Sequence, residues 1–591
     1  MRNFLKIFLA TFLAICVFTF IMFLLGIGIF SAATSDDVPE VKENTVLVID
    51  ISKPMMEQRV EQGLPIPGAQ ADDMLGLHDV IAAIDAAAKE PKIKGIYLVG
   101  ANNALGFANS SELRHALLRF KQSKKFMYAY ANYYEQRAYE LAAVADFIYM
   151  NPAGSLDWQG FGVQLAFFKD ALDKLGVAPE IFYAGQFKSA TEPYRLTKMS
   201  EANRLQMTDM LQQLYSHFLQ NIASSRPKAD TAALRVLAHE LGMQSAQDAV
   251  TAGLIDKLLY DDEVKEIIAK KTGAANIEKI NFMAVKDFIE VALQAKEQPT
   301  DKIAVIFAEG EIVNGKSGDG TIGGETIRQL LRKARFDKNV KAVVLRINSP
   351  GGSALASEVI WREVELVKKE KPLVVSMGDY AASGGYFISC GADSIFAQPG
   401  TLTGSIGVYS MLFDASKLMS QKLGITFDEV STAPAASMGT PFRSMSAVER
   451  RFFQNGVDST YQQFLRKVAN GRGMTIAAVD SVAQGRVWSG NTAITKGLAD
   501  KIGTLQDAIA CAARMAKTTS YSLRQWPEVE TLWDKLFNEK KDQQTSMAIT
   551  IQQQLGVEFT TAWKHIQLLK QQAGTPQMRL PFFVMPPANG K

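Results

Sequence analysis

The sequence predicts an α/β protein made of two tandem βαβ repeats behind one N-terminal transmembrane helix. Three observations carry that expectation. Apolar, β-rich runs alternate with amphipathic helical patterns, which argues for largely parallel sheets with helices packed on them. The alternation occurs twice: a shift of 247 residues brings Lys94 onto Lys341, Tyr133 onto Tyr380, Tyr139 onto Tyr386 and Asp146 onto Asp393. Ahead of both copies, residues 7–30 run without a charge.

That apolar run of 24 residues makes about 36 Å of helix, enough to cross a hydrocarbon core of about 30 Å with some tilt. It is longer than the roughly 7–15 apolar residues of a signal peptide, although Ser31-Ala32-Ala33 resembles a cleavage site and leaves removal open. Arg2 and Lys6 precede the run, while Asp36, Asp37 and Glu40 follow it, so the positive-inside rule keeps the N-terminus cytoplasmic and the body outside. The expected division is an anchor at 1–33, a linker at 34–45, a first repeat at 46–270, a connector at 271–300, a second repeat at 301–520 and a tail at 521–591.

Within the repeats, strands are expected at 44–50, 95–99 and 125–131, and again at 303–307, 342–347 and 373–377. Helices are expected at 79–89 and 325–335. Gly253-Leu254-Ile255-Asp256-Lys257 matches Gly497-Leu498-Ala499-Asp500-Lys501, so the copies stay recognisable to their ends. The tail is Gln-rich and is expected to pack on its own or a neighbouring subunit.

Bulk properties exclude some functions. With 64 basic and 61 acidic residues the net charge is +3, and no basic stripe or cluster points to nucleic acid. Cys16, Cys390 and Cys511 show no metal-ligand spacing, and Cys390 and Cys511 read as buried thiols or as one disulfide. No metal or other cofactor is expected.

The two copies differ where chemistry would sit. Ser383, in Ala-Ala-Ser-Gly-Gly, faces Gln136 of the first copy, and after one residue of slip Lys188 faces Ala436 of the second. Ser383 reads as a serine near a helix N-terminus, either nucleophile or N-cap. A serine nucleophile needs a base. The histidines are His78, His115, His217, His239 and His565, which leaves the second copy without one. A Ser-Lys pair is the known alternative. Lys188 lies among Phe182, Tyr183, Phe187 and small residues, which suggests burial, although a snorkelling lysine would read the same locally. Gly351 and Gly352 follow an apolar strand and offer bare N–H groups for an oxyanion, or mark an ordinary turn. Ser405, in Thr403-Gly404-Ser405-Ile406-Gly407, is a turn serine or a hydroxyl that orients Lys188.

Taken together, 348–353, 379–389, 399–408 and 185–194, with Gly485-Arg486-Val487-Trp488-Ser489-Gly490, resemble the S49 serine peptidase family in its long, duplicated form from Gram-negative bacteria. The resemblance implies a Clp/crotonase-like fold and membrane-anchored, self-compartmentalising homo-oligomers, with a tetramer suggested, whose bodies lie in the periplasm. It implies Ser383 as nucleophile, Lys188 as general base, Gly351, Gly352 and the N–H of Gly384 as the oxyanion hole, and Ser405 as the hydroxyl contacting the lysine. Substrates would be cleaved signal peptides and other hydrophobic peptides, with membrane lipid met through the N-terminal helix. Two other readings stand beside this one: a catalytically silent, membrane-anchored oligomeric scaffold of the same fold, and a crotonase-type acyl-CoA enzyme. An outward-facing body argues against the latter.

Overall fold

The computed structural model describes residues 7–8, 10–22, 39–60, 74–292, 299–318, 320–528 and 574–580. Residues 7–8 and 10–22 are helical, and no helix among the described residues is long and apolar enough to cross a membrane. The remainder of the expected span, residues 9 and 23–30, lies outside the described residues.

Each copy forms a parallel sheet. In the first, the strands run in the order Lys257–Leu258, Phe147–Met150, Phe126–Ala131, Ile93–Val99, Thr45–Asp50, Phe282–Ala284, all parallel. The second runs Val487–Ser489, Leu402–Gly404, Leu373–Ala382, Val340–Ser349, Lys302–Glu309 and Ser522–Trp526, parallel except at Val487–Ser489, which lies antiparallel to Leu402–Gly404. Strand Ser394–Ala397 branches from Leu373–Ala382 to meet Lys501–Ile502. In Lys302–Glu309 the six inner residues are all buried, as expected of a strand covered on both faces. The 247-residue shift holds for the helices too: Leu77–Lys89 corresponds to Gly324–Phe336, and Phe107–Lys121 to Ala354–Lys368.

Two segments read from sequence as connector and tail contribute strands: Phe282–Ala284 extends the first sheet and Ser522–Trp526 the second. Leu373–Ala382 also runs five residues beyond its expected end at 377, because Tyr380, Ala381 and Ala382 pair with Leu402, Thr403 and Gly404. That extension carries the chain straight to Ser383. Cys390 and Cys511 are buried free thiols.

A third sheet joins the copies. Its order is Thr321–Gly323, Glu311–Val313, Gly351–Ser353, Gln577–Arg579, Val408–Asp414, Ala178–Ala184. Ala178–Ala184 of the first copy pairs antiparallel along its whole length with Val408–Asp414 of the second. It thereby delivers the segment leading to Lys188 onto the second copy.

Buried charge fixes the same interface. Arg346 of the second copy is fully buried, and its guanidinium donates to Glu57 at 2.9 and 3.2 Å, Glu112 at 2.7 Å and Asn109 at 2.8 Å, all from the first copy. His78 Nε2 lies 2.9 Å from Glu57. Burial alone would raise the Glu57 carboxyl, but Arg346 and His78 hold it well below the usual carboxylate range. Asp379 of the second copy accepts hydrogen bonds from the N–H groups of Ala108 and Asn109, at 2.8 and 3.0 Å, in the first turn of Phe107–Lys121. Removing one partner of a buried, hydrogen-bonded ion cluster leaves the others uncompensated. Arg346→Ala is therefore expected to lower unfolding stability by about 3–5 kcal/mol. Denaturant melts would show this, and an unchanged midpoint would mean that the cluster does not hold the copies together.

Candidate active site

Ser383 sits where Leu373–Ala382 ends and the short helix Gly384–Ser389 begins. Its backbone has φ 55° and ψ −111°, an unfavourable conformation for a residue with a Cβ. It is held there by its N–H, which donates to Gly404 O at 2.8 Å. The N–H of Gly384 lies in the first helical turn, where no intrahelical acceptor exists.

Lys188 follows Ala178–Ala184 and is 1% exposed. Its Nζ lies 2.8 Å from Ser383 Oγ, 3.0 Å from Ser405 Oγ and 3.0 Å from Ser405 O. Gly485, at φ 76°, backs the lysine: a Cβ there would lie 2.7 Å from Lys188 N. The loops interlock, since Phe187 N–H donates to Gln484 O and Gly485 N–H to Ile406 O, both at 2.8 Å, and Ser405 N–H to Arg486 O at 2.7 Å. A shell that periodicity does not mark holds the segment from behind. Ser189 Oγ donates to Asn203 at 3.0 Å, Gln206 accepts from Val487 N–H at 2.8 Å, and Asn203 donates to Glu192 at 2.9 Å.

Burial pushes the Lys188 ammonium well below the usual lysine range, and no carboxylate offsets it. Neutral lysine has two N–H donors and one lone pair. The two oxygens of Ser405 can take the donors, leaving the lone pair for the Ser383 hydroxyl.

The glycines close the site. A Cβ on Gly351, at φ 102°, would lie 2.8 Å from Gly384 N, so the two backbones touch. The N–H of Gly351 donates to Ser349 Oγ at 3.2 Å, and Gly352 pairs with Ile312. Ser383, Lys188, Ser405, Gly351, Gly352 and Gly384 thus come together, although Ser383 and Lys188 are 195 residues apart. At the matching place in the first copy, Gln136 donates to Gly160 O at 2.7 Å and accepts from Gly160 N–H at 3.3 Å, filling the position with a structural amide. Ala436 lies in an exposed turn, where the second copy forms no equivalent of Ala178–Ala184.

The fold and this cluster describe a tandem Clp-like α/β protein with a buried serine and lysine. The model for peptidase family S49 matches residues 119–275 and 365–519, and the model for Clp protease matches 294–401. Protease 4 of Salmonella typhi is 34% identical over 88% of this chain and 86% of its own length. Protease 4 of Haemophilus influenzae is 36% identical over 76% of this chain and 74% of its own, and the chloroplastic serine protease SPPA of Arabidopsis thaliana 32% identical over 80% and 70%. The chain belongs to peptidase family S49 and is a serine protease.

The burial of Lys188 has a cost to folding. Below about pH 10.4 the unfolded chain carries a proton there that the folded chain sheds at its lower pKa. The unfolded state binds more protons between those two pKa values, so stability rises with pH across that window. Lys188→Met should accordingly melt higher than the parent near neutral pH, with the gain shrinking towards about pH 10. A gap that is absent, or constant over this range, would mean that the lysine is not held neutral.

Proposed function

We propose that this chain is a membrane-anchored serine endopeptidase with a Ser383-Lys188 dyad that degrades cleaved signal peptides and other hydrophobic peptides. The observation that carries the reading is the contact of 2.8 Å between the buried side chains of Lys188, at Nζ, and Ser383, at Oγ. Neutral Lys188 takes the Ser383 proton as Oγ attacks the peptide carbonyl, forming the C–O bond of a tetrahedral intermediate. The N–H of Gly384 and the Gly351-Gly352 backbone are the proposed donors to the developing oxyanion, a reading supported by the close approach of Gly351 to Gly384. The C–N bond then breaks and Lys188 returns its proton to the leaving amine. Water, deprotonated by the same lysine, releases the acyl group from Ser383. Ser405 orients the amine throughout.

The apolar run at 7–30 and the charges flanking it support a single-pass anchor in a bacterial inner membrane, with the body in the periplasm. Assembly into a homo-oligomer, a tetramer on the family resemblance, is supported by the duplication itself. Residues 161–167 and 426–432 correspond to the paired strands Val408–Asp414 and Ala178–Ala184, yet lie outside any strand and expose Val163, Phe427 and Val430. Pairing of 161–167 in one subunit with 426–432 in the next would repeat the internal contact head to tail.

Ser383→Ala and Lys188→Ala should each reduce cleavage of an apolar peptide by at least about 10⁴-fold while leaving the melting transition cooperative. Full activity in either variant would end the assignment. In native mass spectra of the detergent-extracted protein, Phe427→Asp should shift the chain from oligomer towards monomer. A monomeric parent would refute assembly, and an unshifted variant would refute this strand pairing.

A further inference from the structure

The copies also differ at the N-terminal edge of the first sheet, where the strands Thr45–Asp50, Ile93–Val99 and Phe126–Ala131 begin. The candidate site lies instead beyond the C-terminal ends of strands in the second sheet. A hollow of about 370 Å³ opens at this edge, lined by Lys94, Lys124, Lys125 and Lys271 together with Asn44. Its lining holds no carboxylate among the described residues. Lys94, Lys124 and Lys271 are exposed, and Lys125 is half-buried.

The second copy treats the same corner differently. Thr45 N–H donates to Lys92 O at 2.9 Å and Lys302 N–H to Asn339 O at 2.8 Å, so Asn44 matches Asp301. Asp301 pairs with Lys341 at 3.4 Å. Lys94, the match of Lys341, meets an amide in place of that carboxylate, and its Nζ donates to Pro91 O at 3.2 Å. Lys371 donates to Ala334 O and Asp337 O, at 2.8 and 2.6 Å, where the helix Gly324–Phe336 ends. In the first copy Lys125 takes that task at Ala87 O and Glu90 O, at 2.7 and 2.6 Å, which releases Lys124, the match of Lys371. Carrying the match of Gly253–Lys257 with Gly497–Lys501 onward sets Lys271 against Met515. The first copy thus gathers positive charge where the second neutralises it or has none. Burial lowers the Lys125 ammonium; Glu90 opposes the shift and Lys94 adds to it. An anion in the hollow would relieve that repulsion.

The linker enters at this corner. Glu40 lies 3.9 Å from Lys92, and Asn44 leads into Thr45–Asp50. Pro39 is nine residues beyond Phe30, a reach of about 30 Å at most, so the corner can rest on the bilayer that holds the anchor. We infer that the hollow takes the phosphate of an anionic lipid headgroup beside the chain's own anchor, and so sets the first repeat against the membrane. The direction in which the corner faces rests on the single-pass reading of residues 7–30. Lysine ammoniums are compact point charges that suit a phosphate approached from several sides. Basic side chains near an anionic bilayer add to its hold on a protein, and salt weakens them.

Headgroup binding can be read apart from anchoring. Full-length protein in detergent is titrated with short-chain phosphatidylglycerol, short-chain phosphatidylcholine or inorganic phosphate, and bound ligand is counted by native mass spectrometry. The parent is compared with a variant given the second copy's residues, Asn44→Asp with Lys271→Met. Each unit of charge at an anionic headgroup is worth about fivefold in affinity, so the variant should bind phosphatidylglycerol at least about tenfold more weakly. Lys124→Asn, at an exposed position whose φ of 62° asparagine accepts, should cost about fivefold and serves if the double variant fails to fold. Phosphatidylcholine should bind the parent more weakly than phosphatidylglycerol does. Equal phosphatidylglycerol affinity in parent and variants, or no binding by the parent, would overturn the inference. Inorganic phosphate bound as tightly as phosphatidylglycerol would make the hollow a site for free anions and overturn its assignment to lipid. Alkaline extraction of membranes reads the anchor by itself. Release of the parent with headgroup binding intact would refute the span alone, while a retained parent that binds phosphatidylglycerol no better than the variants would refute the headgroup site alone.

Discussion

The site depends on one dry lysine. Lys188 is enclosed by protein, has no carboxylate partner and points its nitrogen at three oxygens, all from serines of the other copy. An ammonium there would lack both water and a counter-charge, so the amine is the form that the fold tolerates. The same desolvation that opposes folding at neutral pH favours the unprotonated amine, the form the proposed base requires. Close approach of backbones maintains it: a side chain at Gly485 would collide with the lysine, and the loops at 404–407 and 484–487 close over it through main-chain hydrogen bonds.

Neither copy can build that site alone. The third sheet brings Ala178–Ala184 against Val408–Asp414, and the Arg346–Glu57–Glu112 cluster locks the two parallel sheets at a fixed orientation. Burial pushes the Asp379 carboxyl up to about 6, even though it accepts two N–H bonds from the first-copy helix. Burial, reinforced by repulsion from Glu57, also raises Glu309. The interface therefore accommodates several carboxyl groups around one guanidinium by raising the pKa of some of them. Gln136 occupies the first copy's position matching Ser383: its amide hydrogen-bonds with Gly160 where the second copy has Ser383 facing the lysine.

Much of this was legible in the sequence because the duplication supplies its own comparison. Ser383, Gly351 and Gly352 stand out against Gln136, Ala104 and Leu105, and the strand at 303–307 announces itself by its unbroken apolar run. What escaped depends on partners distant in the chain. The strand at 373 continues to Ala382 only because Leu402–Gly404 pairs with it. Glu57 and Arg346 are 289 residues apart, and each alone reads as a surface charge. Gln577–Arg579 is a short mixed segment in a polar tail, made a strand by the two edges that it joins. Periodicity records what a segment can bury and does not record against what.

The most direct test of the central claim is the pH dependence of Ser383 acylation by a fluorophosphonate, followed by intact mass in the parent and in Lys188→Met. The account predicts that the parent reacts with a single ionisation well below the ordinary lysine value of about 10.4, and that the variant loses both the rate and that ionisation. Equal rates and equal pH profiles in the two proteins would show that Lys188 is not the base, whatever its distance from the serine.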